Sequence, residues 1–401
     1  MQNMSHAATK YSPLYFLASL GMGGLSVTFF MYLFFWVPHP GQPVPVFEDV
    51  WPVLTGGTLL QQAMVLIAWA GIAFFAFHNI KLLIFNLRKY AEFKRSEGFE
   101  AFAQSNAGSQ VLAMPLALAM TVNVGFILGL TFVPGLWSIV EYMFPAAIVA
   151  FLAIGYIALR QLGHFIASRL HSGGFNCSAN NSFAQMLPAF ALSMIGVGLA
   201  APAAMSTTIV TSGISLVLST FFITAAVLLA LVVLVMSIRP MLEHGVNVEA
   251  APTLMVVIPI MTVIGIALLR QGHGLHVNFD SHTTDADTMM TLTRLLSVQV
   301  LFGLFGLAVM SRVGYLARFV TGRETSAGSY ALVCPGVALS VMTQFWLNKG
   351  LVAAGLVAKF SVAYWAISAV AVGFQIAMIV LVWMLATKHF RPLPQGAVAA
   401  A

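Results

Sequence analysis

Four prolines recur at matching places in long apolar segments, where they could expose backbone hydrogen-bond donors. Pro115, Pro188, Pro259 and Pro335 lie in the segments VLAMPLALAM, AQMLPAFALSM, MVVIPIMTVIG and ALVCPGVALSV. A fifth segment, LASLGMGGLSV, has Gly21 at the matching place. Proline removes a backbone hydrogen bond and bends a helix, and a helix N-terminus at such a bend offers N–H groups and partial positive charge. These positions therefore predict binding of an anion by backbone amides.

The polar side chains of the same segments are small and uncharged. No Asp, Glu, Lys, Arg or His falls between the ends of the five predicted segments, which favours a passive or weakly gated conduit over a pump that relays charge. The narrowest part of this conduit, called the waist here, is predicted at Gly21, Gly24, Pro115, Pro188, Pro259, Pro335 and Gly336. The polar lining is predicted at Ser26, Thr121, Asn123, Ser193, Thr262, Ser340 and Thr343.

Cys334 directly precedes Pro335 and brings reactive chemistry to one of these segments. A free cysteine is most often a small buried apolar residue. Next to a helix break, it could instead be a reactive thiolate. Both interpretations stay open: Cys334 is a lining residue of a conduit, or it is the reactive centre of a membrane-embedded thiol or redox enzyme. The first interpretation predicts no enzymatic activity.

The segment HGLHVNFDSHTTDAD concentrates potential metal ligands. Its three histidines and three aspartates do not follow the spacing of a closed metal site, so we predict no metal. The sequence also lacks the common nucleotide-binding and hydrolase motifs, such as GxxxxGK[ST], GxGxxG, HExxH and GxSxG. We therefore expect no cofactor and no nucleic-acid partner.

The composition places these segments in a lipid bilayer. Hydrophobic residues make up 60% of the chain and charged residues only 7%, whereas soluble domains carry about 25% charged residues. A helix crosses the bilayer core with about 20 apolar residues, and ten runs are long enough. The predicted all-α spans 1 to 10 are residues 12–36, 58–87, 109–133, 137–167, 183–205, 208–238, 251–269, 288–318, 328–347 and 358–387.

The distribution of Lys and Arg predicts the orientation of these spans. Most of the 18 Lys and Arg residues lie near the termini or in the connections that follow even-numbered spans. The positive-inside rule then places both termini in the cytoplasm, which requires an even number of spans. We predict a cytoplasmic tail at 1–11, a transmembrane domain at 12–388 and a second cytoplasmic tail at 389–401.

Ten spans, broken odd-numbered helices and cytoplasmic termini together resemble one superfamily of membrane proteins. It comprises the tellurite-resistance protein TehA, the plant slow anion channels and the C4-dicarboxylate (malic acid) transporters, and the resemblance covers about residues 12–388. LASLGMGGLSV is similar to the first inner helix of that superfamily, and CPGVALSVM is similar to its ninth helix. The resemblance implies five helical hairpins, with kinked odd helices around a central pore and even helices outside. It also implies a homotrimer in which each protomer has its own pore.

The whole chain is similar to the proteobacterial TsoY branch, which includes selenoproteins. This similarity implies a bacterial inner membrane and makes Cys334 the candidate for a chemically active position. Channel members carry a pore-blocking phenylalanine just before a glycine of the ninth helix, but here Pro335 precedes Gly336. Phe190 and Cys334 are therefore the candidate gate residues, and Phe30, Phe126 and Phe345 are further aromatic candidates.

The sequence as a whole predicts a channel or transporter in the inner membrane. Its predicted substrates are small anions: carboxylates, inorganic anions, or oxyanions of sulfur or selenium. The alternative is the thiol enzyme with Cys334 as its reactive centre.

Overall fold

The computed structural model describes residues 11–390, apart from the side chain of Phe390, and within this range the chain forms helices and loops without strands. Ten helical elements are long and apolar enough to cross a membrane, which confirms the predicted all-α class and the number of spans. Most of the predicted tails, residues 1–10 and 391–401, lies outside the described residues. Spans 1 to 10 are Pro13–Trp36, Leu59–Phe93, Asn106–Phe132, Leu136–Ser172, Ala184–Met205, Ile209–His244, Ala251–Phe279, Asp285–Arg312, Ala327–Val352 and Val362–His389.

Every odd-numbered span begins with a 3-10 turn that leads into an α-helix. The turns are Pro13–Tyr15, Asn106–Leu112, Ala184–Met186, Ala251–Met255 and Ala327–Leu332. The α-helices that follow are Phe16–Trp36, Ala113–Phe132, Leu187–Met205, Val257–Phe279 and Val333–Phe345. The internal repeat read from the sequence thus has a counterpart in the backbone.

The repeated prolines lie at the start of these α-helices and do not interrupt them further along. Pro188 is the second residue of its α-helix, and Pro115, Pro259 and Pro335 are the third residues of theirs. The first turn tolerates proline because its N–H groups have no partner within the helix. In place of the expected break within an α-helix, each proline marks the change from 3-10 to α winding. Gly21 differs, since it is the sixth residue of its α-helix.

The even-numbered spans are built mainly from long single α-helices. The helices are Leu59–Phe93, Val140–Ser172, Ile209–His244, Asp285–Arg312 and Val362–Phe390. The first three have 35, 33 and 36 residues, more than the roughly 20 that a bilayer core requires. Two shorter helices, Phe47–Gly56 and Gly98–Ala103, lie in the connections after spans 1 and 2. Two π-helical turns, Leu316–Val320 and Trp346–Val352, follow span 8 and the α-helix of span 9.

The odd spans contact one another in a closed ring. Span 1 packs against span 3, span 3 against span 5, span 5 against span 7, span 7 against span 9, and span 9 against span 1. In the most apolar 18-residue windows, 100% of span 5 and 83% of span 9 are buried, but only 28% of span 6 and 22% of spans 8 and 10. The odd spans are therefore the inside of the protein, and the even spans present apolar side chains outward.

A buried hydrogen-bond network ties the even span 2 to the odd spans 1 and 3. The side-chain amide of Asn79 donates to the backbone oxygen of Ser19 at 2.8 Å, and its side-chain oxygen accepts from the Thr121 hydroxyl at 2.9 Å. The Ser19 hydroxyl donates in turn to the backbone oxygen of Asn79 at 2.9 Å. Such bonds satisfy polar groups where lipid offers no partner.

Candidate functional site

A cavity of about 940 Å³, called the outer cavity here, lies inside the ring of odd spans. All five odd spans contribute to its wall, for example through Gly24, Asn123, Val197, Thr262 and Val337. Its mouth is formed by the connections after spans 1 and 7, on the side predicted to lie outside the cytoplasm. At about 30 Å³ per molecule, a space of this size holds on the order of 30 waters.

A second cavity of about 400 Å³, called the inner cavity, lies at the opposite end of the ring. Its wall includes Leu14, Gln110, Phe183 and Ser326, which come from the 3-10 turns or lie next to them, and residues 247–250 of the connection after span 6. The inner cavity therefore opens toward the side predicted to be cytoplasmic.

Three side chains line both cavities: Phe190 of span 5, Pro259 of span 7 and Cys334 of span 9. Phe190 is 3% exposed and Cys334 is 8% exposed, so little room is left around them. All three lie in the first turn of their α-helices, just after the change from 3-10 winding. These three residues, called the junction here, are the shared part of the two cavity walls. Phe190 and Cys334, the two predicted gate residues, both belong to it.

The predicted waist residues divide into those that reach a cavity and those that do not. Gly21 and Gly24 line the outer cavity and let span 9 approach, since a Cβ at Gly24 would lie 2.7 Å from Val337 Cγ1. Pro259 belongs to the junction. A helix turns only one face to the centre of a ring, and the remaining members, Pro115, Pro188, Pro335 and Gly336, are buried away from both cavities.

The polar lining is also smaller than the sequence predicts. Asn123 and Thr262 line the outer cavity, and the Thr262 hydroxyl donates to the Ala338 backbone oxygen at 3.1 Å. The other predicted lining residues, Ser26, Thr121, Ser193, Ser340 and Thr343, do not line either cavity. Hydrogen bonds account for three of them, because Ser26 donates to the Ile72 oxygen, Thr121 to Asn79 and Ser193 to the Phe190 oxygen.

The outer cavity is charged, contrary to the prediction of an uncharged conduit. The α-helix of span 7 continues to Phe279, past the predicted end at 269, so Arg270 lies within the span and lines the cavity. Its Nη1 donates to the Val197 backbone oxygen of span 5 at 2.8 Å. Among residues 11–390, no carboxylate lies within 4.0 Å of this guanidinium. Lys349 of span 9 lines the same cavity.

Histidines surround the mouth of the outer cavity, at His39, His273, His276 and His282. His273 and His276 lie on the span 7 helix rather than in a loop, and the rings of His276 and His282 are 5.1 Å apart between centroids. Within residues 11–390, no group of three or more His, Cys, Asp or Glu side chains is placed to hold a metal ion. The carboxylate that lines this cavity belongs to Asp285.

The two cavities differ in charge. Besides Cys334, Glu249 is the ionisable group in the described wall of the inner cavity, whereas Arg270 and Lys349 outnumber Asp285 in the outer one. Arg270, Lys349 and Glu249 were not among the site residues predicted from the sequence. Helical spacing could have found Arg270, since Pro259, Thr262, Ile266, Arg270 and His273 follow one another at intervals of three or four residues along one face.

Comparison with known proteins does not identify a function for these cavities. No protein-family model matches the chain, and no curated protein matches its sequence. The resemblance to the TehA superfamily therefore stays a prediction. The two cavities and the junction between them are the observations that bear on function.

Proposed function

We propose that this protein is a gated passage for small anions across the membrane, acting as a channel or a transporter. The observation that carries the proposal is the meeting of the two cavities at the junction of Phe190, Pro259 and Cys334. Polar solutes cross a bilayer only where protein shields them from lipid. Cavities that enter one ring of helices from opposite ends and share side chains in their walls supply such a shielded path.

The positive charge of the outer cavity supports anions as the substrate. Arg270 and Lys349 raise the local concentration of anions. Backbone dipoles and hydroxyl groups further along the path would bind them weakly enough to let them leave. The proposed substrates are small carboxylates, inorganic anions, or oxyanions of sulfur or selenium.

The TehA-like arrangement is part of the same proposal. The closed ring of odd spans and the 3-10 turn repeated before each of their α-helices support five related helical hairpins around one pore. The homotrimer and the bacterial inner membrane rest on the sequence resemblance. The cytoplasmic termini rest on the distribution of Lys and Arg.

The gate in this proposal is the Phe190 ring of span 5. Span 9 has Cys334 and Pro335 where the channels of the resembled superfamily have an aromatic residue. The test is anion flux in liposomes that contain purified protein, with chloride, nitrate, malate, sulfite and thiosulfate in turn. Phe190→Ala should increase flux about tenfold or more, equivalent to a barrier lower by about 1.4 kcal/mol.

Phe126→Ala is the matched control, because Phe126 lines the outer cavity but not the junction. It should leave the flux close to that of the unmodified protein. Equal flux in the two variants would remove Phe190 from the gate. A lack of flux for every anion in both variants would contradict the proposed function.

The presence of Cys334 in the walls of both cavities favours the thiol enzyme as a second candidate. The same liposomes separate the two functions through Cys334→Ser, which should transport normally if Cys334 only fills the junction. Thiol labelling followed by mass spectrometry completes this comparison. A Cys334 that resists labelling in detergent micelles, together with normal transport by Cys334→Ser, rules out the enzyme.

A further inference from the structure

We propose that Arg270 binds an oxyanion group, such as a carboxylate, in the outer cavity before the ion reaches the junction. The inference rests on the proposed function and deepens it, because it identifies the chemical class of anion that the outer cavity selects. It begins from a cationic side chain that lies inside a span and faces a cavity.

Arg270 is held in place and still has donors to offer. One guanidinium nitrogen, Nη1, donates to the Val197 oxygen at 2.8 Å, and Val197 lines the same cavity. A guanidinium carries five N–H donors in a fixed plane. In the described part of the chain, the bond to Val197 is the one hydrogen bond of this guanidinium, so Nε and Nη2 form none. Neither atom is among the fully buried atoms without a partner, so both keep some accessible surface. The donors not used by Val197 are therefore open to a ligand in the cavity.

The charge of Arg270 has no counter-ion among residues 11–390. The ion pairs within residues 11–390 join other groups, and Asp285 of the same cavity forms none with Arg270. A charge inside a membrane protein is costly unless an opposite charge or hydrogen bonds compensate for it. An anion taken from solution would supply the missing charge.

Two further groups add to the binding surface. Lys349 of span 9 lines the outer cavity, and its ammonium has no hydrogen bond or ion pair with any described residue. His273 lies three residues after Arg270, on the same face of the helix, and also lines the cavity. Donors from two neighbouring spans thus face the same cavity as Arg270.

The shape of the guanidinium selects oxyanions over halides. Its parallel N–H groups match two oxygens of a carboxylate or similar group, whereas a halide ion has one acceptor centre. At 1.5 Å per residue, Arg270 lies roughly 16 Å from Pro259 along span 7. The oxyanion is therefore collected well before the junction, on the side that the outer cavity opens to.

A structural role for Arg270 is the competing explanation, since its bond to Val197 links spans 5 and 7. The experiment must therefore measure ligand binding and not only stability. We suggest isothermal titration calorimetry at low salt on the full-length protein in detergent micelles, with malate, sulfite and chloride as probes. Size-exclusion chromatography checks that each variant is folded.

The unmodified protein should bind malate or sulfite more tightly than chloride. Arg270→Gln should weaken oxyanion binding about tenfold or more, equivalent to about 1.4 kcal/mol. Arg270→Lys keeps the charge and a donor for Val197 but loses the fork, so it should reduce the preference for oxyanions over chloride. Lys359→Gln is the matched control, because Lys359 is exposed near the same end of the protein but does not line the cavity.

Three results would overturn the inference: no oxyanion binding by the unmodified protein, binding of chloride as tight as that of malate and sulfite, or Arg270→Gln and Arg270→Lys variants that bind like the unmodified protein. The Phe190→Ala flux assay keeps this failure distinct from failure of the proposed function. If anions cross but Arg270 plays no part in binding, the oxyanion site is contradicted and the passage is not. If binding depends on Arg270 but no anion crosses, the passage is contradicted and the oxyanion site is not.

Discussion

Spans 5 and 6 are consecutive apolar helices that meet opposite surroundings. Every residue in the most apolar window of span 5 is buried, whereas only 28% of the corresponding window of span 6 is. The window of span 6 nevertheless has the higher mean hydropathy. Span 5 supplies the junction residue Phe190, and span 6 presents exposed side chains such as Leu228 and Val235. Hydropathy therefore identifies a span without telling whether lipid or protein surrounds it.

The difference follows from the forces that pack helices together in lipid. Lipid tails are as apolar as leucine, so burial inside a membrane protein is stabilised by close packing and hydrogen bonds rather than by removal from water. Span 5 accordingly carries small residues at its contacts, such as Gly196 against Ile223 and Gly198 against Phe151. Matched substitutions on inner and outer spans test this contrast.

Shortening a leucine should have the largest effect. Leu199 of span 5 is fully buried, whereas Leu228 of span 6 is 61% exposed. Leu199→Ala leaves a cavity and should cost about 2–5 kcal/mol of stability, while Leu228→Ala should change little because the surrounding detergent or lipid fills the space. Thermal unfolding of the purified variants in detergent measures both. Similar losses in the two variants would contradict the division into inner and outer spans.

Adding a methyl group to a glycine should have the next largest effect. A Cβ at Gly198 would collide with the buried Phe151 ring of span 4, and overpacking of this kind costs about 1–3 kcal/mol. A Cβ at Gly373 of span 10 would meet no atom within 4 Å. We expect Gly198→Ala to lower the unfolding temperature and Gly373→Ala to leave it unchanged or slightly higher. The reverse order would show that the two spans are packed differently.

Removing the Asn79 network should have the smallest effect of the three. Asn79→Leu loses its bonds to Ser19 and Thr121, and interhelical hydrogen bonds in membranes contribute about 0.6 kcal/mol on average and up to about 1.7. We expect a loss of about 1 kcal/mol in the same unfolding experiment. Ile80→Ala, at an exposed neighbour, is the control and should unfold like the unmodified protein.

The fold was largely predictable because length and composition alone identify a span. The ten spans and the fivefold repeat could be read from apolar runs and proline spacing. The end of span 7 could not, because a hydropathy window stops at a charge such as Arg270, whereas the helix continues where a cavity accommodates that charge. Because the predicted span ended at residue 269, the charged lining of the outer cavity was not predicted either.

The candidate site was less predictable, because sequence does not fix which way a polar side chain turns. Ser26 and Thr121 look as suited to line a cavity as Asn123, but hydrogen bonds to span 2 turn them away. Four prolines were expected at the waist; of these, Pro259 lines the cavities, and Pro115, Pro188 and Pro335 do not. Among the candidate aromatics, Phe190 lines both cavities, whereas Phe30, Phe126 and Phe345 line the outer cavity alone.

The position of the junction between two cavities has an electrical consequence for the proposed passage. Water that fills the spaces of 940 and 400 Å³ on either side would conduct, so the membrane potential would fall mainly across Phe190, Pro259 and Cys334. A unit charge that crosses a potential of 100 mV changes in energy by about 2.3 kcal/mol. Most of that energy would act at the junction, so in the proposed passage the step past Phe190 would be the voltage-dependent one.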